Sequence, residues 1–401
     1  MLALGLALAC VALYFVTGGR AGSGSSSSSA SPTATATTPG ESAAGAPEVA
    51  AKHFLDTYVK SNGRVARTDQ DNDTVGEGQA YGMLLAAAIG DEERFDLIWD
   101  WTKENLRGDD GLIAFLWKNG KIVDPKPASD ADLDAARALL TASCRFDRPE
   151  LREEGIQLGE AILASETTNV ADEPLLVAGP WARTPKVIFN PSYFSPTTYA
   201  ALGKATGDAR WDALTASSQD AVDRLMPDPG NLPPDWAVIK DAKPVASGPP
   251  ADPTADPAYG FDAVRTLIRY AEDPSPEGRA LAARAWPAFE GRPPADIPVE
   301  WTPSGKPAGK TQHPVALVAA AAAAAAAGQT ADKERLLDAA AGLDRGNPTY
   351  YGAAWVALGR MMLDTHALDV VIRRGMAKRS ADRPSAAVFG AAALRAAGET
   401  T

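Results

Sequence analysis

The sequence predicts an all-α protein of around a dozen helices, and three observations carry that expectation. Apolar residues recur at helical spacing through most of the chain after about residue 47. Gly, Pro and Asp gather between those stretches, as in Pro227-Asp228-Pro229-Gly230 and Asp273-Pro274, where one helix must stop before the next starts. Alternating strand patterns are scarce, with Lys186 to Phe189 a short candidate. This helix count suits a closed ring of paired helices, an (α/α)6 toroid or six-hairpin barrel. It also suits a helical solenoid, although no repeat of fixed period is visible.

Residues 1–21 open with MLALGLALACVALYFVT, an apolar run expected to be a signal peptide or a membrane anchor. Either sends the rest of the chain out of the cytoplasm, secreted or membrane-anchored. Residues 22–46 are rich in Ser, Thr, Ala, Pro and Gly with almost no large apolar side chain, so they are expected as a disordered tether. Amphipathic stretches then occupy about 47–60, 77–89, 92–106, 131–144, 149–165, 194–206, 208–225, 259–271, 276–289, 312–327, 331–343 and 350–362. In the third, Phe95, Ile98, Trp99 and Leu106 share one face. The alanine run from Ala319 to Ala327 predicts a helix that approaches its neighbours closely. A last helix-like segment covers about 384–397 and would cap the ring or lie outside it.

Composition narrows the chemistry. The 401 residues are 45% hydrophobic and 22% charged, enough for a large core. A net charge of −12 disfavours nucleic acid, whose phosphates need a basic face. The two cysteines, Cys10 and Cys144, cannot staple the fold or build a cysteine zinc site. His53, His313 and His366 stand far apart without metal-ligand spacing, and no phosphate-binding glycine loop occurs. No metal or cofactor is expected, so the chemistry falls to carboxylates.

Three segments bring carboxylates together with glycines and aromatics. The first runs from Asp73 to Met83 and places Glu77 between Gly76 and Gly78 at a helix start. A helix N-terminus favours the ionised carboxylate, so Glu77 is either a capping acid or, if buried, a proton donor. The second runs from Ala128 to Leu140, with Asp130, Asp132 and Asp134 in its first turns. Acids are common there as caps, and the calcium-loop spacing fails. The third runs from Tyr259 to Arg265, where Asp262 and Arg265 lie one helical turn apart, the spacing of an ordinary ion pair.

Taken in order, these segments resemble glycoside hydrolase family 8, which contains endoglucanases, lichenases, chitosanases and xylanases. The acid motif of that family is close to SEGQ-YGM, and this chain reads GEGQAYGM, with Gly76 for the usual Ser. The A-[ST]-D-[AG]-D signature is met from Ala128 to Phe146, with Ala135 where Ile or Met is usual. A YDA-x-R element appears as Phe261-Asp262-Ala263-Val264-Arg265, with Phe for Tyr. Asn190 to Pro196 and Pro233-Pro234-Asp235-Trp236 also match in order. The resemblance spans about residues 60–270 and implies the (α/α)6 toroid, with residues 47–401 as one catalytic domain.

The resemblance further implies an inverting hydrolase with Glu77 as general acid, Asp262 as general base and Asp130 beneath the sugar at the cleavage point. An inverting pair stands about 6.5–9.5 Å apart to admit a water. Asp130 is expected to raise the pKa of Glu77 by like charge, and Asp132 to be a helix-capping or supporting acid. Sugar faces stack on rings, which makes Trp117, Trp181, Tyr193, Tyr350 and Tyr351 candidate substrate contacts. Phe261 keeps a ring but loses the hydroxyl usual there. Arg265 would bond a sugar hydroxyl or orient Asp262. The leading expectation is an endo-acting β-1,4-glucanase, working as a monomer on a β-linked polysaccharide. Chitosan, mixed-linkage glucan and xylan are alternative substrates. A non-catalytic polysaccharide-binding envelope protein and a metal-dependent toroid enzyme are the readings from other classes.

Overall fold

The computed structural model describes residues 46–369 together with Val371. Twelve α-helices occur among them: α1 Ala46–Tyr58, α2 Gly76–Ile89, α3 Glu92–Asn105, α4 Ser129–Phe146, α5 Pro149–Ser165, α6 Pro196–Thr206, α7 Arg210–Leu225, α8 Val264–Ala271, α9 Pro276–Arg284, α10 Pro314–Ala326, α11 Thr330–Gly346 and α12 Tyr350–Asp364. The expected signal or anchor, the tether and the 384–397 helix lie outside the described residues. Among those described, no helix is long and apolar enough to cross a membrane.

The even-numbered helices pack in a ring, α2 on α4, α4 on α6, α6 on α8, α8 on α10, α10 on α12 and α12 back on α2. Each odd-numbered helix packs outside its neighbours, α5 on α4 and α11 on α10 most extensively. The sequence shows why. In α10 every residue from Pro314 to Ala324 is buried, and in α2 only Glu77 and Ile89 escape full burial. A helix apolar all round belongs inside, whereas α5 and α7 bury a single face and stay outside. Small residues set the spacing: a Cβ at Gly359 of α12 would lie 2.3 Å from Val318 Cγ1 of α10. This is the (α/α)6 toroid.

Eight short strands decorate the ring, which the sequence reading missed apart from the second half of its Lys186–Phe189 candidate. They are β1 Thr74–Val75, β2 Ala114–Lys118, β3 Lys121–Pro127, β4 Thr167–Val170, β5 Glu173–Leu176, β6 Ile188–Phe189, β7 Trp236–Lys240 and β8 Lys243–Ser247. All pairings are antiparallel, in sheets β1-β2-β3, β4-β5 and β6-β7-β8. The hairpins β2–β3, β4–β5 and β7–β8 turn through two residues of positive φ, Asn119-Gly120, Ala171-Asp172 and Asp241-Ala242. Such mirror-image turns suit strand twist, but only the first carries a recognisable turn sequence.

Two helix boundaries also differ from expectation. The stretch expected as helix 259–271 becomes helical only at Val264, because residues 260–263 form a separate turn. The stretch expected as 276–289 ends at Arg284 and continues as a short 3-10 turn, Trp286–Ala288. The other ten agree within about three residues.

Candidate active site

The segments preceding the inner helices converge at one end of the ring, so the N-terminal ends of α2, α4, α8 and α12 gather their polar residues together. At α2 the anchor is Gln79, fully buried and bonded through both ends of its amide. Its Oε1 accepts from Val65 N at 2.6 Å, and its Nε2 donates to Thr102 Oγ1 at 2.9 Å, Ile98 O at 3.2 Å and Gly63 O at 3.3 Å. That clamp fixes the first turn of α2 and so the position of Glu77. A Cβ at Gly78 would lie 2.5 Å from the Tyr350 hydroxyl, so glycine lets α12 close against the acid. At Gly76 a Cβ would sit 3.0 Å from both Ala114 O and Ile113 Cγ2, which leaves little room for the serine usual in the motif.

Arg265 organises the centre. Its Nη1 donates to Asp130 Oδ2 at 2.6 Å, to the Tyr81 hydroxyl at 3.3 Å and to Glu77 Oε2 at 3.5 Å. Its Nη2 donates to Asp262 Oδ1 at 2.9 Å. Glu77 and Tyr81 of α2, Asp130 of α4 and Asp262 beside α8 are thus tied to one buried guanidinium. Because Glu77 and Asp262 bond its two terminal nitrogens, their nearest oxygens are at most about 9 Å apart, compatible with a water between an inverting pair. Asp130 and Arg265 are buried, while the Glu77 side chain keeps 17% exposure and that of Asp262 11%.

Burial dominates the electrostatics. It pushes the Glu77 carboxyl up to about 7, opposed by the Arg265 charge and assisted by Asp130. The like-charge effect expected from Asp130 is therefore present but second to desolvation. Asp262 is also pushed to about 7 by burial, again opposed by Arg265, with Asp235 and Asp130 adding to the rise. Asp130 is raised by burial against the pull of Arg265. These groups titrate as a set. Within it, the 2.9 Å bond from Arg265 to Asp262 favours the ionised form there more than the 3.5 Å bond does at Glu77.

Deeper in the ring, α4 and α8 face each other through two more ion pairs. Arg269 Nη2 bonds Asp134 Oδ2 at 2.5 Å, and Arg137 bonds both oxygens of Glu272, at 2.7 and 2.8 Å. With Asp130–Arg265 these form a ladder of three buried rungs.

The model of glycosyl hydrolases family 8 matches residues 29–366. The chain belongs to that family. A probable endoglucanase of Novacetimonas hansenii is 30% identical over 58% of this chain and 69% of its own length. An endoglucanase of Escherichia coli O157:H7 is 28% identical over 78% of this chain and 86% of its own. Among solved structures, the endo-beta-1,4-glucanase CMCax from Acetobacter xylinum matches with a TM-score of 0.66 and 25% identity, over 79% of this chain and 97% of that one. This family 8 member is therefore a glycoside hydrolase, and its family inverts the anomeric centre using a Glu and an Asp.

The other site residues expected from sequence are placed variously in this glycoside hydrolase. Trp117, Trp181, Phe261 and Tyr351 are half-buried at the site end. The Arg64 guanidinium lies 5.3 Å from the Trp117 ring centroid, and the Trp101 ring meets Trp117 edge-on. Trp181 Nε1 donates to Pro127 O at 3.1 Å, beside the start of α4. The Tyr351 hydroxyl donates to Phe261 O at 2.8 Å, and both rings pack on His313. Tyr193 and Tyr350 differ from expectation, because their rings are 2% and 1% exposed. The Arg265 guanidinium covers Tyr193 at 5.3 Å, and Tyr350 packs among Phe54 and Tyr58. Neither ring is an open platform for a sugar; Tyr193 supports Arg265, and Tyr350 joins an aromatic cluster.

Three participants escaped the sequence reading. Tyr81 lies inside the acid motif, but its bond to Arg265 needs the folded ring. Asp235 lies inside a matched motif and reaches the turn carrying Asp262. Glu166, at the end of α5, is wholly buried beside Asp132, whose Oδ1 accepts from Ile113 N at 2.9 Å. Burial holds both of these carboxyls well above their usual range, and each charge raises or tempers the other. Nothing in the local sequence ILASETTN marks Glu166 as interior.

Proposed function

We propose that the chain is an inverting endo-β-1,4-glucanase with Glu77 as general acid and Asp262 as general base. The observation that carries the assignment is the single Arg265 guanidinium bonded to Glu77, Asp130 and Asp262 together. The endoglucanase names of the relatives support the substrate. Protonated Glu77 gives its proton to the glycosidic oxygen as the bond to C1 breaks. A water on the opposite face attacks C1 and passes a proton to ionised Asp262, so the anomer inverts. Asp130, held by Arg265 between the pair, fixes the ring at the cleavage point. Trp117, Trp181, Phe261 and Tyr351 are the rings available for stacking. The protein acts as a monomer outside the cytoplasm, on a β-linked glucan.

A reducing-end assay on carboxymethylcellulose, lichenan, chitosan and xylan in parallel tests the substrate. Release chiefly from a substrate other than the β-1,4-glucan would overturn that choice. Glu77→Gln is expected to lower kcat by about 10²–10⁴-fold, the range for a lost general acid. Unchanged turnover would remove Glu77 from the mechanism. Proton NMR of the first product should show the α-anomer.

A further inference from the structure

The matched segment Pro233-Pro234-Asp235-Trp236 has no task in the mechanism above. Asp235 stands just before β7, and its amide donates to Ala258 O at 2.7 Å. Its Oδ1 accepts from Gly260 N at 2.9 Å and from Ala263 N at 2.7 Å. Asp262 rides between those two donors. The approach is so close that a Cβ at Gly260 would lie 2.7 Å from Asp235 Oδ2. The next residue, Trp236, is buried with its ring edge-on to Tyr193, whose own ring lies beneath Arg265. Asp235 and Asp262 also wall one cavity of about 240 Å³.

We infer that Asp235 is a positioning residue for the base: it ties down the turn that carries Asp262 and stands a second negative charge behind it. This rests on the reading of Asp262 as base. Asp262 is faced by Arg265 of α8, Asp130 of α4, Glu77 of α2, Tyr351 of α12 and the Asn190 side chain, with Asp256 and Glu300 across the shared cavity. Among these charges Arg265 acts most strongly and holds the proton off; Asp235 comes next and is the strongest that retains it. Burial already raises Asp262 against the pull of Arg265, and the Asp235 charge adds to that basicity.

Asp235→Asn separates charge from tether, because its side-chain oxygen still accepts from both amides. The acidic limb of its kcat/KM profile is expected to move down by about one pH unit, the direction set by losing a like charge. A role limited to holding the fold would leave that limb in place, so a superimposable profile overturns the inference. Asp235→Glu keeps the charge but displaces the tether, and should lower kcat with little change in KM; wild-type kcat there would also overturn it. If Asp235→Asn fails to fold by circular dichroism, this second variant carries the test. Asp262→Asn is the control for the underlying reading. Wild-type activity in Asp262→Asn would reject Asp262 as base, whereas an inactive Asp262→Asn with an unshifted Asp235→Asn profile rejects the role of Asp235 alone.

Discussion

Arg265 meets three carboxyls because a planar fork presents several donors in fixed directions. A lysine at this position keeps the charge but offers one point to oxygens that approach two nitrogens. Arg265→Lys is therefore expected to retain its helical circular dichroism while kcat/KM falls about 10²-fold, the effect of misplacing reacting groups by roughly 1 Å. Activity within a few-fold of wild type would show that the fork geometry is dispensable. At this scale the sequence was partly legible. Glu77, Asp130, Asp262 and Arg265 were singled out by their motifs, and the fold brings all four together. Tyr193 and Tyr350 read as stacking rings because motif membership and ring chemistry do not reveal which face is covered. The covering groups, Arg265 and the α1 aromatics, come from distant segments. Asp235 was visible as a match but not as a tether, since its partners lie about a hairpin away in sequence.

At the scale of elements, the inner helices were legible and the strands were not. Long runs such as Pro314 to Ala324 announce a helix buried on every side. The strands are short, and β3, KIVDPKP, contains two prolines and is largely exposed, so no alternation marks it. Its place follows from pairing with β2, which a local pattern does not encode. The inner ring depends on small residues where helices touch. Gly359→Ala would set a methyl group 2.3 Å from Val318 Cγ1. The expected cost is about 1–3 kcal/mol of unfolding free energy from overpacking, read from urea melts. Adding Val318→Ala should recover part of it, with a coupling of at least about 0.5 kcal/mol in the double-mutant cycle. Strict additivity would mean that α10 and α12 relax apart at that point.

Across the whole molecule, buried carboxyls make stability depend on pH. Glu77 is raised from 4.5 to about 7, Asp262 from 3.8 to about 7 and Asp235 from 3.8 to about 6. Burial also raises Asp132 and Glu166 well above the usual carboxylate range. In each case the folded protein holds the proton more tightly than the unfolded chain does. Their contribution is complete below the unfolded values and is lost as pH rises through the folded ones. Tm should therefore fall as pH is raised from about 4.5 to 7.5, and Glu166→Gln, neutral at every pH, should flatten the decline. A Tm that climbs across that window would contradict the protonated interior.

The ladder between α4 and α8 bears on how the toroid is assembled. Asp130, Asp134 and Arg137 meet Arg265, Arg269 and Glu272, and each rung joins positions 135 residues apart. Every rung therefore spans the first and second halves of the described chain. A half-ring that has not met its complement holds charged side chains in an apolar interior, where an unpaired charge costs about 3–5 kcal/mol once its partner is gone. The two halves are consequently poor candidates for separate folding units, and the enzyme should lose its structure in one cooperative event. Calorimetry should give equal calorimetric and van't Hoff enthalpies, and two resolved transitions would mean that the halves part before they melt.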